Sequence, residues 1–303
     1  MVYYINSFSY YNYSITSSKI KNVFFKLKYG VFGMDIEVNH NFSDTINNLR
    51  INVEASGYVE GDTSWNARDV CLPCSRLYYF ESGHGVLEYN GQVITMKPGN
   101  LYLVPFGLTF SYRCDSTYTK LYFHITIPRP DGFDLLSDCK QIISMPISIS
   151  DIQKMTQNYR SGSIVDMLKI KQEVLMHVTS MLPASTVSSF FSTVYSPIVQ
   201  STVDYIQQNL SVQLSSADLA ARLFICESTL CKHFKEELGV TVGQYIDDSI
   251  FLAVEKILVK SKLSISRISE TFGFCDQFYF SRRFRQRYAM SPLQYRKKMA
   301  GSI

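Results

Sequence analysis

The chain has 303 residues, of which 46% are hydrophobic and 18% are charged, so it can form folded cores and is not typical of disordered proteins. Its formal net charge at pH 7 is +4, and its seven cysteines are too few for the framework of a disulfide-rich scaffold. No apolar stretch approaches the roughly 20 residues of a membrane-spanning helix, so no membrane partner is expected. The length favours two domains joined by a linker.

The N-terminal segment, residues 1–45, is interpreted as an extension. Its first 29 residues are rich in Tyr, Ser, Asn and Lys and lack the apolar core of a signal peptide. A more ordinary opening begins at Met34. Residues 1–33 are therefore either a poorly ordered extension or the product of a misassigned start site.

Residues 46–160 are predicted to form a sandwich or small barrel of short strands. Asn90-Gly91 predicts a hairpin turn because both residues accept a positive φ, and Pro98-Gly99 fits a type II turn. The predicted strands are rich in aromatic and β-branched residues and cover 77–80, 86–89, 93–96, 101–104, 108–112 and 121–126.

Helical patterns begin beyond residue 131, at 152–159 and 164–182. Residues 161–195 are interpreted as an amphipathic helix and a linker, since the stretch from Pro183 to Pro197 is rich in Ser and Thr. The helix packs either on its own domain or on a second copy, and we expect a homodimer. Its predicted buried face carries Ile164, Leu168, Leu175, Val178 and Leu182.

Residues 196–303 contain one pattern twice, about fifty residues apart. Each copy has a short amphipathic segment, a turn and a second helix with basic residues, which is the arrangement of a helix-turn-helix that reads DNA. Ser215 with Asp218 predicts the start of one helix, Ser264 starts the second copy, and residues 251–258 lie in a helix that joins the two. From residue 198 onward there are 14 Lys and Arg against 10 Asp and Glu, a basic balance that suits phosphate binding.

The spacing of the second helices separates buried from outward positions. Leu230 and Phe234 in the first copy correspond to Phe280 and Phe284 in the second, and all four are predicted to be core. The outward positions are expected to meet the bases and phosphates of the major groove. The predicted DNA-binding residues are Ser228, Cys231, Lys232, Lys235, Gln277, Ser281, Arg282, Arg283 and Arg285.

On these residues the C-terminal hundred residues resemble the AraC/XylS family of bacterial transcription regulators. The resemblance rests on Gly239, Gly273-Phe274, Tyr279 to Arg282 and Ser291-Pro292, among others. It implies two helix-turn-helix units joined by a long helix, with each unit entering a major groove. The chain departs from the family at Cys226, where a small polar cap is usual, and at Ala289, where Gly is usual.

The N-terminal half more loosely resembles the cupin-type sensor domain of such regulators, through the segments 76–79, 83–85 and 98–105. The overall expectation is an α+β multidomain chain with a cupin-like barrel flanked by helices and an all-α double helix-turn-helix. The candidate effector-binding residues are Trp65, Arg76, Tyr78, His84 and Tyr102, and a sugar is favoured as effector only through the resemblance. The five histidines are too scattered for a metal site, so no cofactor or metal is expected.

We therefore expect a cytoplasmic DNA-binding transcription regulator that is not an enzyme. It would bind promoter DNA, contact RNA polymerase if it is an activator, and respond to a small-molecule effector. Two alternatives stay open: a barrel that only dimerises, and a cupin enzyme fused to a DNA-binding domain. Missing metal ligands and the lack of a recognisable catalytic constellation count against the second.

Overall fold

The computed structural model describes residues 24–28, 35–39, 49–182 and 195–300. It divides into two compact units, Met1–Asn47 and Asn48–Ile303. In the first unit, strands β1 (Phe24–Lys28) and β2 (Asp35–Asn39) pair antiparallel. The other residues of the predicted N-terminal extension, and residues 183–194 of the predicted linker, lie outside the described residues.

The N-terminal part of the second unit consists of two antiparallel sheets. A five-stranded sheet has the order β11-β8-β5-β10-β3, and a four-stranded sheet has the order β4-β9-β6-β7. The six predicted strands are confirmed, whereas β3, β4 and β11 were not individually predicted. The strands are β3 (Asn52–Gly61), β4 (Ala67–Val70), β5 (Ser75–Ser82), β6 (Gly85–Tyr89), β7 (Gln92–Met96), β8 (Asn100–Val104), β9 (Phe110–Arg113), β10 (Tyr118–Thr126) and β11 (Ile143–Pro146).

The two sheets face each other across an aromatic core. Alternation along β5 sends Tyr78 and Phe80 into this core and Leu77 and Tyr79 to the opposite face. Among the described residues the two sheets are not hydrogen-bonded to each other, so the predicted barrel is an open sandwich. The Asn90-Gly91 turn between β6 and β7 is confirmed, with φ of 48° and 74°.

Helices α1 (Ile149–Ser161) and α2 (Ile164–Met181) cover the outer face of the five-stranded sheet. The predicted buried face of α2 is confirmed at Val178, and Leu175 and Leu182 pack partly buried against the core, but the prediction is wrong at its first two positions. The structure buries Ile170, Val174, Val178 and Met181, and it leaves Ile164 and Leu168 exposed by 77% and 58%. The sheet therefore covers the predicted face only from Leu175 onward, and the first two turns of α2 leave Ile164 and Leu168 in solvent.

The C-terminal domain is helical, as predicted. Ser215 and Ser264 cap α4 and α7 by accepting hydrogen bonds from the backbone amides three residues on, at 3.1 Å in both cases. The helices are α3 (Pro197–Gln208), α4 (Ser216–Arg222), α5 (Glu227–Leu238), α6 (Val242–Lys260), α7 (Ile265–Thr271), α8 (Gln277–Tyr288) and α9 (Pro292–Ala300). No helix in the described part of the chain is long and apolar enough to cross a membrane.

Polar contacts join the helical domain to the sandwich within the second unit. The Tyr245 hydroxyl, on α6, donates to the backbone carbonyl of Asp131 at 2.5 Å, and Lys260 at the end of α6 forms an ion pair with Glu54 on β3. The Tyr295 hydroxyl on α9 donates to the Cys71 carbonyl at 3.3 Å. Helix α6 therefore contacts the N-terminal part of the second unit near both of its ends.

Candidate nucleic-acid interface

Helices α4–α5 and α7–α8 form two helix-turn-helix units connected by α6. The turn of the first unit contains Phe224 in the left-handed region (φ 56°), and the matching position of the second unit is Gly273 (φ 74°). A left-handed residue reverses the chain between the helices, which glycine does without strain. Phe224 is also 95% exposed, a feature that the sequence pattern did not indicate.

The second helix of each unit is held by matching buried side chains. Leu230 and Phe234 on α5, and Phe280 and Phe284 on α8, are completely buried, as predicted. The Phe234 ring lies 5.4 Å from the Tyr245 ring on α6, and Phe284 lies 6.2 Å from Phe251, also on α6. The second helices of the two units, α5 and α8, are called the recognition helices below. Their contacts with α6 give both of them the same rotation about their own axes.

That rotation turns most of the predicted DNA-binding residues to the surface. Ser228, Lys232 and Lys235 on α5 are exposed, and Arg282 and Arg285 are exposed on α8. The half-buried members of the set are Cys231, Gln277, Ser281 and Arg283. Within the described residues, no ion pair involves Lys232, Lys235, Arg282 or Arg285. These four cations are therefore available to phosphates and base edges.

Arg283 is the exception among the predicted contacts. Its guanidinium forms an ion pair with Asp247 on α6 and lies 5.4 Å from the Phe251 ring centre. Arg287, one turn further on, bonds Asp248 at 2.6 Å. Both arginines face the connecting helix, and this inward position was not recognised because the acidic partners lie about 40 residues earlier in the chain.

The two recognition helices start differently. Asp276 caps α8, since its carboxylate accepts hydrogen bonds from the amides of Phe278 and Tyr279, both at 2.7 Å. These bonds lower the pKa of Asp276. Cys226 occupies the same position before α5 and makes no capping bond with its side chain. The departure noted in the sequence therefore leaves the start of α5 without a side-chain cap.

A second group of candidate residues meets inside the sandwich. Trp65 lies edge-on to Tyr78 with ring centres 5.9 Å apart, and the Arg76 Nη1 donates to the Tyr78 hydroxyl at 3.2 Å. Tyr102 is buried in the same core, and its hydroxyl accepts a bond from the Lys97 amide. His84 is exposed and is not brought to this group.

Lys120, which the sequence did not single out, completes the group. It is 3% exposed, and its Nζ lies 3.3 Å from the ring centre of Trp65 and 4.3 Å from that of Tyr78. The alternation of β10 was a usable signal, because Lys120 stands in phase with the inward-facing Tyr118. Over the described residues, no group of three or more His, Cys, Asp or Glu side chains is placed to hold a metal ion.

Comparison with known proteins identifies the C-terminal domain. Residues 219–298 match a family described as a helix-turn-helix domain. The chain is 23% identical over 232 residues to the lactose operon transcription activator of Staphylococcus xylosus, covering 73% of this chain and 83% of that protein. It is 21% identical over 228 residues to the transcriptional activator RhaS of Pectobacterium carotovorum, covering 70% and 81%.

Among solved structures, ToxT of Vibrio cholerae aligns with a TM-score of 0.45 at 13% identity, covering 84% of this chain and 99% of that one. The matched helix-turn-helix residues coincide with α4 to α9, the part of the fold that contains both recognition helices. The chain is thus a DNA-binding transcription regulator whose residues 219–298 form a helix-turn-helix domain, and it is similar in sequence to operon activators.

Proposed function

We propose that the chain activates transcription by inserting α5 and α8 into major grooves on one face of promoter DNA. The observation that carries this proposal is the shared register of the two helices. Each is anchored by two fully buried side chains, and each turns unpaired cations to solvent from the opposite face. A helix of about 10–12 Å diameter fits the major groove.

The exposed positions divide into two roles. Lys232 and Arg282 lie at matching positions on the two helices, where a side chain contacts base edges, and Arg donates two hydrogen bonds to guanine. Lys235 and Arg285 lie one turn nearer the C-terminus and contact phosphates, which set the position of the protein on DNA. The smaller side chains contribute polar or apolar contacts to bases, namely Ser228, Cys231, Gln277 and Ser281.

Arg283 takes a different role from the one expected of it. Because its guanidinium is engaged by Asp247, it orients α8 on α6 and does not belong to the proposed DNA surface.

The regulator acts as a homodimer through the exposed face of α2. Ile164, Val165, Met167 and Leu168 are each more than half exposed, and together they form an apolar surface on the first two turns. Exposed apolar patches of this kind mark protein interfaces, and two-fold dimers are the commonest assembly of soluble proteins. A second copy of the same helix is the occupant that we propose.

The sandwich binds a small-molecule effector and biases the DNA-binding domain. A sugar is supported by the names of relatives, since one regulates a lactose operon and others regulate xylose operons. The activating role is supported by the two relatives named as activators, and it implies contact with RNA polymerase. The second candidate function of the sandwich is dimerisation without effector binding, and the exposed face of α2 supports it.

DNA binding is tested with the full-length chain on the DNA upstream of its own gene. We expect protection from cleavage on one face of the duplex and an affinity that falls steeply with salt. A double variant, Lys232→Ala with Arg282→Ala, is compared with the exposed acidic control Glu236→Ala. The proposal would be contradicted if the wild type, the double variant and Glu236→Ala had the same affinity for DNA, and if none of them distinguished the specific site from random DNA.

A further inference from the structure

The sandwich core contains two basic side chains without an acidic partner. Arg76 is 2% exposed, and its Nε and Nη2 atoms are buried without any hydrogen-bond partner. Lys120 is 3% exposed and contacts aromatic rings only. Along the described chain, no ion pair connects either residue to a carboxylate. An Arg side chain cannot lose its charge in a protein, so a buried guanidinium needs an anion or further hydrogen-bond acceptors.

The pKa shifts of neighbouring groups are consistent with a positive potential around Arg76. His124 is the register partner of Arg76 across the β10–β5 pair. Its pKa is lowered to about 3 by burial and by the nearby charges of Arg76, Lys120 and Lys260. Burial and the proximity of Arg76 also lower the pKa of Lys120. The carboxylate of Glu54, which lies near this region, is engaged by Lys260 and by the Thr126 hydroxyl.

Space for a ligand lies beside His124, the register partner of Arg76. A crevice of about 370 Å³ opens where the sandwich meets the last turns of α6. Its lining includes Glu54, Cys74 and His124 from the sandwich and Lys256 and Lys260 from α6. Small-molecule sites have volumes of about 300–1,000 Å³, with mostly apolar walls and a few polar groups that orient the ligand.

We propose that the effector is a small organic anion, a carboxylate or a phosphate monoester, whose acid group pairs with the unbonded face of Arg76. Its body would lie against the aromatic side chains around Lys120 and extend into the crevice beside α6. A neutral sugar would satisfy hydrogen bonds but would leave the guanidinium charge without a counter-charge. The inference rests on the proposed effector-binding function and specifies the chemistry of the ligand.

The only tryptophan of the chain, Trp65, provides a direct readout because it lies against Lys120. The full-length protein is titrated with pairs of probes that differ by an acid group, and Trp65 fluorescence is recorded. The pairs are galacturonate and galactose, glucose 6-phosphate and glucose, and phenylacetate and 2-phenylethanol. We expect at least one acid to bind at least about tenfold more tightly than its neutral partner. Comparison of galacturonate with glucose 6-phosphate shows whether the site prefers a carboxylate or a phosphate monoester.

The variant Arg76→Met removes the charge and keeps an unbranched side chain of similar reach. It should weaken binding of the preferred acid by at least about tenfold, whereas Arg113→Met, which removes a half-exposed arginine from β9, should not. Without ligand, Arg76→Met should melt at the same temperature as the wild type or higher, because it removes an unpaired buried charge. If that variant does not fold, Lys120→Met tests the same loss of affinity.

Three results would overturn the inference. If a neutral probe bound as tightly as its acid partner, the chain would have an effector site, but the effector would not need to be an anion. If the acids bound equally to wild type and Arg76→Met, their site would lie elsewhere. If no probe changed Trp65 fluorescence and Arg76→Met melted well below the wild type, Arg76 would be a purely structural residue.

Discussion

The guanidinium of Arg283, on the second recognition helix, forms an ion pair with the carboxylate of Asp247 on the connecting helix. Arg287 approaches the other oxygen of the same carboxylate at 3.5 Å and also bonds Asp248. These contacts lie beside the Phe251 ring, which packs against Phe284. The polar pairs and the aromatic core therefore fix the same relative orientation of α6 and α8.

Removing the shared carboxylate should loosen this orientation. For Asp247→Ala we expect the free energy of unfolding to fall by roughly 1–2 kcal/mol, because two half-buried arginines lose an acceptor. Urea denaturation measures the change. Glu236→Ala, an exposed position on α5, is the control and should stay within about 0.5 kcal/mol of the wild type. Indistinguishable stabilities for the two variants would show that the pair contributes nothing to the fold.

The arginines of α8 should differ in their effects on DNA binding. Arg282→Ala should cost about 1–3 kcal/mol of binding free energy and relax specificity at one base pair. Arg285→Ala should weaken binding to all sequences. It should also reduce the slope of the logarithm of the binding constant against the logarithm of salt concentration by about one. Band-shift titrations at several salt concentrations, on wild-type and single-base variant sites, distinguish the two. A uniform loss for Arg282→Ala would reassign that side chain to a phosphate.

The unequal caps of α5 and α8 give a prediction about stability. Cys226→Ser should raise the free energy of unfolding by about 0.5–1 kcal/mol, since Cys226 has the extended conformation of a cap residue but makes no side-chain bond. Asp276→Ala is the reciprocal variant and should lower it by about 1 kcal/mol. Thermal unfolding of both proteins measures the effect, and a destabilised Cys226→Ser would contradict it.

Local sequence signals predicted the elements of this fold well. The hairpin at Asn90-Gly91, the caps at Ser215 and Ser264, and the core positions of the recognition helices were all found. Each depends on residues within about four positions of one another, so the chain itself displays the pattern. The family resemblance then identified the double helix-turn-helix before any tertiary contact was known.

Features that depend on distant partners were not predictable in this way. The amphipathic pattern of α2 fits more than one stripe, and only the sheet face decided that Ile170 and Val174 are buried while Leu168 is not. Arg283 looked like a phosphate contact until Asp247 was placed opposite it. Lys120 is a different case, because its phase with Tyr118 along β10 was a usable local signal that was not recognised in the sequence.

Glu255 on α6 should make stability depend on pH. Burial raises its pKa to about 7, against the lowering effects of a Tyr288 hydrogen bond and of Arg287 and Lys256. Between about pH 4.5 and 7 the unfolded state therefore releases a proton that the folded state keeps, so the contribution of Glu255 to stability falls as pH rises.

Glu255→Gln lacks this titration. Between about pH 5 and pH 8 we expect the stability of the wild type relative to Glu255→Gln to fall by roughly 1–3 kcal/mol. Because His124 and Asp134 also titrate, with opposite signs, the difference between the two proteins is the quantity to follow in urea denaturation at each pH. A difference that stays constant with pH would contradict the raised pKa.

The ends of the recognition helices provide a further comparison within one molecule. Both close with a left-handed residue, Gly239 after α5 (φ 75°) and Ala289 after α8 (φ 57°). A Cβ atom is strained in this conformation, whereas glycine adopts it freely. Ala289→Gly should therefore raise the free energy of unfolding by about 0.5–1 kcal/mol, as measured by thermal unfolding.

The matched variant is Gly239→Ala, which should lower stability by about 1 kcal/mol. A Cβ placed on Gly239 meets no atom within 4 Å, so its effect reports backbone conformation without a steric clash. If Ala289→Gly were destabilising while Gly239→Ala behaved as expected, the methyl group of Ala289 would have to make a compensating contact. The two changes together thus separate the conformational preference of the helix end from local packing.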